Sequence, residues 1–141
     1  MRFLELCMYF VLVSLDLSFG MTRPELKKIL SEAKRQCMAS NGVTEDEVGN
    51  IEQGQFLEER NVMCYIKCIY VSGGVIKKDI ILHDAMIKHV EKLWPQETKA
   101  SIIDAINHCR YVDEKYADAC EDAYWMARCI QAYTPEHFLF P

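Results

Sequence analysis

Cysteines constrain the fold of this chain more than any other feature, beginning with the stretch Cys64-Tyr65-Ile66-Lys67-Cys68. A structural zinc site would need tighter pairs of the form C-x2-C with a matching Cys or His pair, and the sequence has none. A thioredoxin-like redox motif would need C-x-x-C beside a βαβ pattern, which is also missing. We therefore expect no metal site. Six of the seven cysteines follow residue 20: Cys37, Cys64, Cys68, Cys109, Cys120 and Cys129.

The first twenty residues have the plan of a secretory signal peptide. Arg2 precedes an apolar run, and small residues stand at the minus-three and minus-one positions of a cleavage site after Gly20. We predict a signal peptide over residues 1–20 and a mature chain over residues 21–141 that is secreted. Cleavage would remove Cys7 and leave an even number of cysteines, which in a secreted domain of this size indicates a disulfide framework.

Size and charge limit the classes of partner. About 120 residues remain after cleavage, which corresponds to one domain, and half of the whole chain is hydrophobic. The formal charge of −5 changes to −4 on loss of Arg2, Glu5 and Asp16, because 15 basic and 19 acidic residues remain. A mildly acidic surface argues against a nucleic-acid partner, which would meet a clustered basic face. Glu5 and Asp16 also interrupt the apolar run of the leader, so we expect no stable membrane insertion.

Apolar spacing and helix-capping residues predict an all-α fold with six helices. Thr22 with Glu25, and Thr44 with Glu47, fit capping boxes at the starts of the first two helices. Strict alternation, which is typical of half-buried strands, is nowhere sustained. The predicted helices span about 22–41, 44–53, 58–72, 81–93, 96–109 and 114–132.

The cysteines on the third and sixth helices restrict the possible disulfides. Cys64 and Cys68 lie about 40 degrees apart on one helical face, so a bridge between them would be strained. Cys120 and Cys129 would be about 13 Å apart along the sixth helix, too far for a bridge. Six cysteines allow 15 pairings, and excluding these two bridges leaves ten. Each of the two helices is therefore tied to two other parts of the chain, and each bridge contributes on the order of 2 to 4 kcal/mol.

The full cysteine spacing resembles that of the insect odorant-binding proteins, the six-cysteine general odorant-binding and pheromone-binding proteins. The gaps between successive cysteines are 26, 3, 40, 10 and 8 residues, and in that family three residues separate the second and third cysteines and eight the fifth and sixth. The similarity covers essentially the whole mature chain. It implies a compact bundle of six helices around an apolar cavity, stapled by three interlocking disulfides: Cys37 with Cys68, Cys64 with Cys120, and Cys109 with Cys129.

The resemblance also implies a carrier function without a cofactor. Such a protein would bind small hydrophobic odorants or pheromone-like molecules and carry them through aqueous lymph, with an odorant receptor as a possible protein partner. A disulfide frame fits this function, because it takes over part of the stabilisation that a filled core would provide. The predicted cavity lining, for which ordinary core is the alternative, is Ile66, Tyr70, Val75, Leu82, Met86, Val90, Trp94, Met126, Ile130 and Phe140.

Two features suggest how ligand would be held and released. The Tyr70 hydroxyl is the expected anchor for an alcohol, aldehyde or ester, with a backbone carbonyl as its alternative partner. The apolar residues 138–140 would be unfavourable in water, so we predict that the C-terminal tail folds back as a wall or lid of the cavity rather than fraying. Histidine changes charge between about pH 5 and 8, so a pH-gated release is a hypothesis for His137 beside the tail, with His83, His89 and His108 elsewhere.

Other classes fit less well. An enzyme is not expected, because the only adjacent His-Asp pair, His83-Asp84, lacks the double cysteine and glycine-rich loop of secreted phospholipases. Membrane-active proteins of the saposin type are shorter and use C-x-x-C pairs. A carrier of a non-olfactory lipid, hormone or amine remains open. The ligand and the oligomeric state are not readable from the sequence.

Overall fold

A computed structural model describes residues 20–141, so the predicted signal peptide, apart from Gly20, lies outside the described residues. The described chain is helical, which confirms the all-α class. Its helices are α1 (Arg23–Asn41), α2 (Glu45–Val48), α3 (Arg60–Ser72), α4 (His83–Leu93), α5 (Gln96–His108) and α6 (Ala119–Tyr133), with a 3-10 helix over Cys109–Glu114 between α5 and α6.

The first two helices begin at the predicted capping boxes. The backbone N–H of Thr22 donates to Glu25 Oε2 over 2.9 Å, and the N–H of Glu25 donates to Thr22 Oγ1 over 3.4 Å. At the second box the N–H of Thr44 donates to Glu47 Oε2 over 2.8 Å. The helix that follows was predicted to reach about residue 53, but α2 ends at residue 48, and residues 49–54 form turns. Helix α1 ends at Gly42, whose positive φ of 62° is the left-handed conformation that favours glycine.

A short antiparallel hairpin, absent from the helix prediction, precedes α4. Strand β1 (Ile76–Lys77) pairs with strand β2 (Ile80–Ile81). The two turn residues, Lys78 and Asp79, both have positive φ, as in the tight turns that suit a twisted hairpin. Strands of two residues are too short for alternation to reveal them. Helix α4 therefore begins at His83 rather than near Ile81.

The sixth helix begins later than predicted. It was expected from about Glu114, but residues up to Glu114 form the 3-10 helix and α6 begins at Ala119. The side chain of Asp118 caps α6 by accepting hydrogen bonds of 3.0 Å from the N–H groups of Cys120 and Glu121. Arg60 also binds this carboxylate through both terminal nitrogens, and together these donors lower the pKa of Asp118 to about 2.

Three disulfides place α3 at the centre of the bundle. They are the three bridges that the family resemblance implied, with Cα–Cα distances between 4.6 and 6.0 Å. Helix α3 carries two of the six half-cystines one turn apart, so one bridge ties it to α1 and the other ties it to α6. The bridges are Cys37–Cys68 from α1 to α3, Cys64–Cys120 from α3 to α6, and Cys109–Cys129 from the 3-10 helix to α6.

The densest part of the core lies where α3 packs along α6. Tyr65 and Ile66 of α3, with Tyr124 and Met126 of α6, are completely buried. The hydroxyl of Tyr124 donates to the carbonyl of Phe56 over 3.0 Å, and their rings meet edge to face at 5.7 Å. This contact fastens the loop before α3 to α6.

A partly buried group of three titratable side chains joins α4, the 3-10 helix and α6. His83 Nε2 lies 3.0 Å from Asp113 Oδ2, and Asp122 is 7% exposed. One oxygen of each carboxylate is buried without a donor from any other described residue, so a proton shared between the two acids would satisfy both. Burial, followed by the charge of Asp113 and the hydrogen bond to it, raises the pKa of Asp122 to about 6. Burial also raises the pKa of Asp113.

We expect Asp122 to make stability fall as the pH rises. Because its pKa is raised in the folded state, the protonated form stabilises the fold below about pH 4, and this contribution is lost as the pH passes through about 6. Asp122→Asn keeps an uncharged hydrogen-bonding group, so at pH 7 it should increase the free energy of unfolding by on the order of 1 to 3 kcal/mol. Urea unfolding at pH 4, 5, 6 and 7 measures the difference.

The exposed Asp104 supplies the matched control for this comparison. Asp104→Asn removes one carboxylate of the same type and should leave the pH profile of the wild type unchanged. Parallel pH profiles for the wild type and Asp122→Asn would show that Asp122 titrates normally in the folded protein.

Candidate functional site

An apolar cavity of about 310 Å³ lies between the helices and the C-terminal tail. Its walls come from α1, the last turn of α3, α4, α5, the last turn of α6 and residues 138–141. Ile29 on α1 lines the cavity and is 56% exposed, so the cavity opens toward solvent beside this helix. The remaining walls are mostly buried aliphatic and aromatic side chains.

Seven of the ten predicted lining residues surround this cavity, while Ile66, Leu82 and Met126 do not. The cavity reaches only the last turns of α3 and α6. Ile66 and Met126 each lie one turn earlier and are fully buried in the core. Leu82 precedes the first turn of α4, away from the wall that this helix provides. Contact of any of these residues with a ligand stays a prediction. The seven are Tyr70, Val75, Met86, Val90, Trp94, Ile130 and Phe140.

Helices α1 and α5 contribute walls that were not predicted. Leu26 and Leu30 of α1, with Ile102 and Ile106 of α5, line the cavity. All four belong to apolar stripes that the sequence shows at helical spacing. A stripe identifies the inward face of a helix, but it does not indicate whether that face meets another side chain or an empty volume.

Two hydrogen-bond donors stand out against these apolar walls. The indole nitrogen of Trp94 is buried and has no hydrogen-bond partner in the part of the chain that the structure describes. Leaving a buried donor unpaired costs about 1 to 3 kcal/mol, and this nitrogen has almost no surface accessible from the cavity. Burial raises the pKa of the Tyr70 hydroxyl, so this group stays protonated at neutral pH and can also donate.

The C-terminal tail forms one wall of the cavity, as its apolar composition predicted. Phe138, Leu139 and Phe140 are each no more than 5% exposed. The ring of Phe140 meets Tyr65 and Tyr70 edge to face at centroid distances of 6.3 and 6.2 Å. The tail therefore packs against α3, the helix that carries two of the disulfides.

Polar contacts fix the tail at both ends. Arg23 donates to the carbonyl of Phe138 over 2.7 Å and forms an ion pair with Glu52. The hydroxyl of Tyr65 donates to the carbonyl of Pro141 over 3.3 Å. His137 lies at the turn before the tail, with Nδ1 3.1 Å from the hydroxyl of Thr134. Its part in a pH-gated release stays a hypothesis.

Comparison with known proteins identifies the family. The sequence model of the PBP/GOBP family matches residues 20–133, which is more than half of the chain. The chain belongs to the PBP/GOBP family. In the solved structures, this family member is similar to Apis mellifera odorant binding protein 5, at 25% identity and a TM-score of 0.78, with 86% of this chain and 99% of that chain covered.

Two further structures share the fold. Odorant binding protein 4 of Chrysopa pallens is 26% identical, with a TM-score of 0.77, and the match covers 86% of this chain and 99% of that chain. A Locusta migratoria odorant binding protein is 24% identical, with a TM-score of 0.69, and the match covers 83% of this chain and 87% of that chain. At this identity the similarity shows the fold alone. Family and fold thus support a small-ligand carrier, not an enzyme. Within residues 20–141, no helix combines the length and apolar character that crossing a bilayer requires.

Removing the ring of Phe140 should loosen the tail. We expect Phe140→Ala to lower the free energy of unfolding by about 3 kcal/mol, because this buried ring contacts both Tyr65 and Tyr70. Amide hydrogen exchange at residues 138–140 should become faster as well. Ile80→Ala, which removes a side chain of β2 that is 62% exposed, is the control and should change stability by well under 1 kcal/mol. Unchanged exchange in Phe140→Ala would mean that the polar contacts alone hold the tail.

Proposed function

We propose that this protein is a secreted carrier that binds small hydrophobic ligands, such as odorants or pheromone-like molecules, and transports them through aqueous lymph to receptors. The observation that carries the proposal is the apolar cavity of about 310 Å³, whose lining includes the polar hydroxyl-bearing side chain of Tyr70. Membership of the PBP/GOBP family supports it. So do the names of the similar structures, which are odorant binding proteins from the honeybee and from a predatory insect.

The cavity limits the size and polarity of the ligand. A volume of about 310 Å³ is at the small end of the usual range for ligand sites. A ligand of about 15 heavy atoms, at about 0.3 to 0.5 kcal/mol each, would bind with micromolar affinity. The hydroxyl of Tyr70, which lines the cavity, can donate a hydrogen bond, so the preferred ligand carries an oxygen acceptor on an otherwise apolar chain. Aldehydes, ketones, esters and alcohols have this chemistry.

The tail is the proposed lid. It covers the cavity with Phe138, Leu139 and Phe140, and it is held to the bundle by the burial of these side chains and by polar contacts to Arg23 and Tyr65. These contacts can break without disturbing the disulfide frame. Opening of the tail would then allow ligand to enter and leave while α1, α3 and α6 keep their positions.

Ligand titration tests the proposal. The oxidised protein is titrated with N-phenyl-1-naphthylamine, an apolar fluorophore that brightens in an apolar environment, and the bound probe is displaced by alcohols, aldehydes and esters of graded chain length. We expect saturable binding at one site in the cavity and displacement that depends on chain length. If correctly bridged protein shows no saturable binding, the bundle is filled and its function involves protein partners instead.

The Tyr70 hydroxyl gives a sharper prediction. Tyr70→Phe keeps an aromatic wall but removes the O–H, so aldehyde affinity should fall about three- to tenfold, while the affinity for an alkene of equal length should change little. Competition against the fluorophore measures both ligands. Tyr111→Phe is the matched control, because Tyr111 lies outside the cavity. Equal losses for aldehyde and alkene would assign Tyr70 to shape alone.

The fluid in which the carrier acts requires a different observation. A carrier or scavenger of a non-olfactory lipid, hormone or amine would use the same cavity and give the same titrations. The tissue that contains the transcript separates these alternatives: enrichment in olfactory organs supports the olfactory function, whereas its absence there contradicts it.

A further inference from the structure

A second concave surface lies on the other side of α6 and shares no residue with the cavity. It is an open groove of about 550 Å³, bordered by the end of α5, the 3-10 helix with the loop that follows it, and the outer face of α6. Cys129 is part of its lining, so the Cys109–Cys129 disulfide holds two of its walls together. We call it the aromatic groove because its lining includes His108, Tyr111, Tyr116, Trp125 and Tyr133.

The rings of the aromatic groove pack against one another in two pairs. The ring centroids of His108 and Tyr133 lie 4.7 Å apart with 33° between the ring planes, and those of Tyr116 and Trp125 lie 5.7 Å apart with only 10° between the planes. Tyr111 and Tyr133 are each almost half exposed. These two rings therefore offer aromatic surface to a ligand at a concave site.

Two cationic side chains also line the groove, although the chain as a whole is acidic. Lys115 Nζ lies 4.8 Å from the ring centre of Tyr111, and Arg128 Cζ lies 5.1 Å from that of Trp125. Arg128 is also paired with Glu58, with 2.9 Å between the charged atoms. Lys115, in contrast, makes no ion pair within residues 20–141. Its positive charge is therefore available to a bound anion.

We propose that the aromatic groove is a second ligand site, which takes a planar aromatic anion such as an aromatic carboxylate. The ring of the ligand would stack on the exposed faces of Tyr111 and Tyr133, and its negative charge would pair with Lys115. The size of the groove favours a small molecule over a protein partner. Ten residues line it, whereas a stable protein interface involves about 20 to 30 residues on each side. The protein would thus bind a neutral apolar ligand inside and an aromatic anion outside.

The chain is well suited to a test because it has only two tryptophans, one in each site. The probe is 2-naphthoate, added to oxidised protein produced from the full chain in a secreting host and labelled with nitrogen-15 in the indole. Trp125→Phe identifies which of the two indole N–H signals belongs to which site. We expect 2-naphthoate to shift the Trp125 signal saturably and to leave the Trp94 signal in place.

Charge and control variants complete the experiment. Lys115→Gln should weaken 2-naphthoate binding about three- to fivefold, the effect of one exposed ion pair, and 0.5 M salt should weaken it to a similar extent. Lys88→Gln, which removes an exposed lysine of α4 outside the groove, should have no effect. Methyl 2-naphthoate, the neutral ester, should bind the groove more weakly than the anion.

Three results would overturn the proposal. A shift of only the Trp94 signal would place the anion in the cavity instead. Equal binding by Lys115→Gln and wild type would remove the charge recognition on which the ligand class depends. No saturation of the Trp125 signal at millimolar 2-naphthoate would mean that the aromatic groove is not a small-molecule site. All three are independent of whether the cavity binds an apolar ligand.

Discussion

The covalent attachment of α3 to both α1 and α6 is the constraint on which the rest of the structure depends. Cys64 and Cys68 lie one turn apart, and their disulfides fix α3 to α6 and to α1. These three helices are also walls of the cavity. A closed, empty volume of about 310 Å³ would cost about 7 kcal/mol, which is an upper limit for a cavity that opens toward solvent. Three bridges contribute about 6 to 12 kcal/mol. The two quantities are of the same order, so the frame can maintain a hollow interior in a small domain.

Most of the fold could be predicted because its determinants are local or covalent. The capping boxes at Thr22 and Thr44 marked the first two helix starts, and the cysteine spacing carried the family resemblance from which the disulfide pairing followed. Three helix boundaries were wrong: the second helix ends at residue 48 rather than near 53, and the other two errors have clear physical reasons. The strands beside Lys78 and Asp79 are too short to show an alternation of apolar and polar residues. The apolar spacing of the sixth helix seemed to begin near residue 114, but the cap at Asp118 fixes the start of this helix later in the chain.

The site was less predictable than the fold, because whether a volume is filled depends on tertiary packing. Met86, Val90 and Trp94 line the cavity, since α4 presents one face to it, and their contact with a ligand stays a prediction. Ile66 and Met126 belong to equally apolar stripes, yet they lie one turn too far from the cavity and fill the core. The unpaired N–H of Trp94 could not be foreseen, because a missing hydrogen-bond partner is a property of the folded surroundings.

The most direct test of the central claim is the affinity for N-phenyl-1-naphthylamine after the bridge between α3 and α6 is removed by Cys64→Ala with Cys120→Ala, with helix content followed by far-ultraviolet circular dichroism. If the frame keeps the cavity open, the double variant should keep most of its helix content while its affinity for the probe falls at least about tenfold. Without the bridge, α3 and α6 are free to shift toward each other and fill the cavity with side chains. Wild-type affinity in a helical double variant would show that packing alone shapes the cavity, and would contradict the claim that the disulfides maintain it.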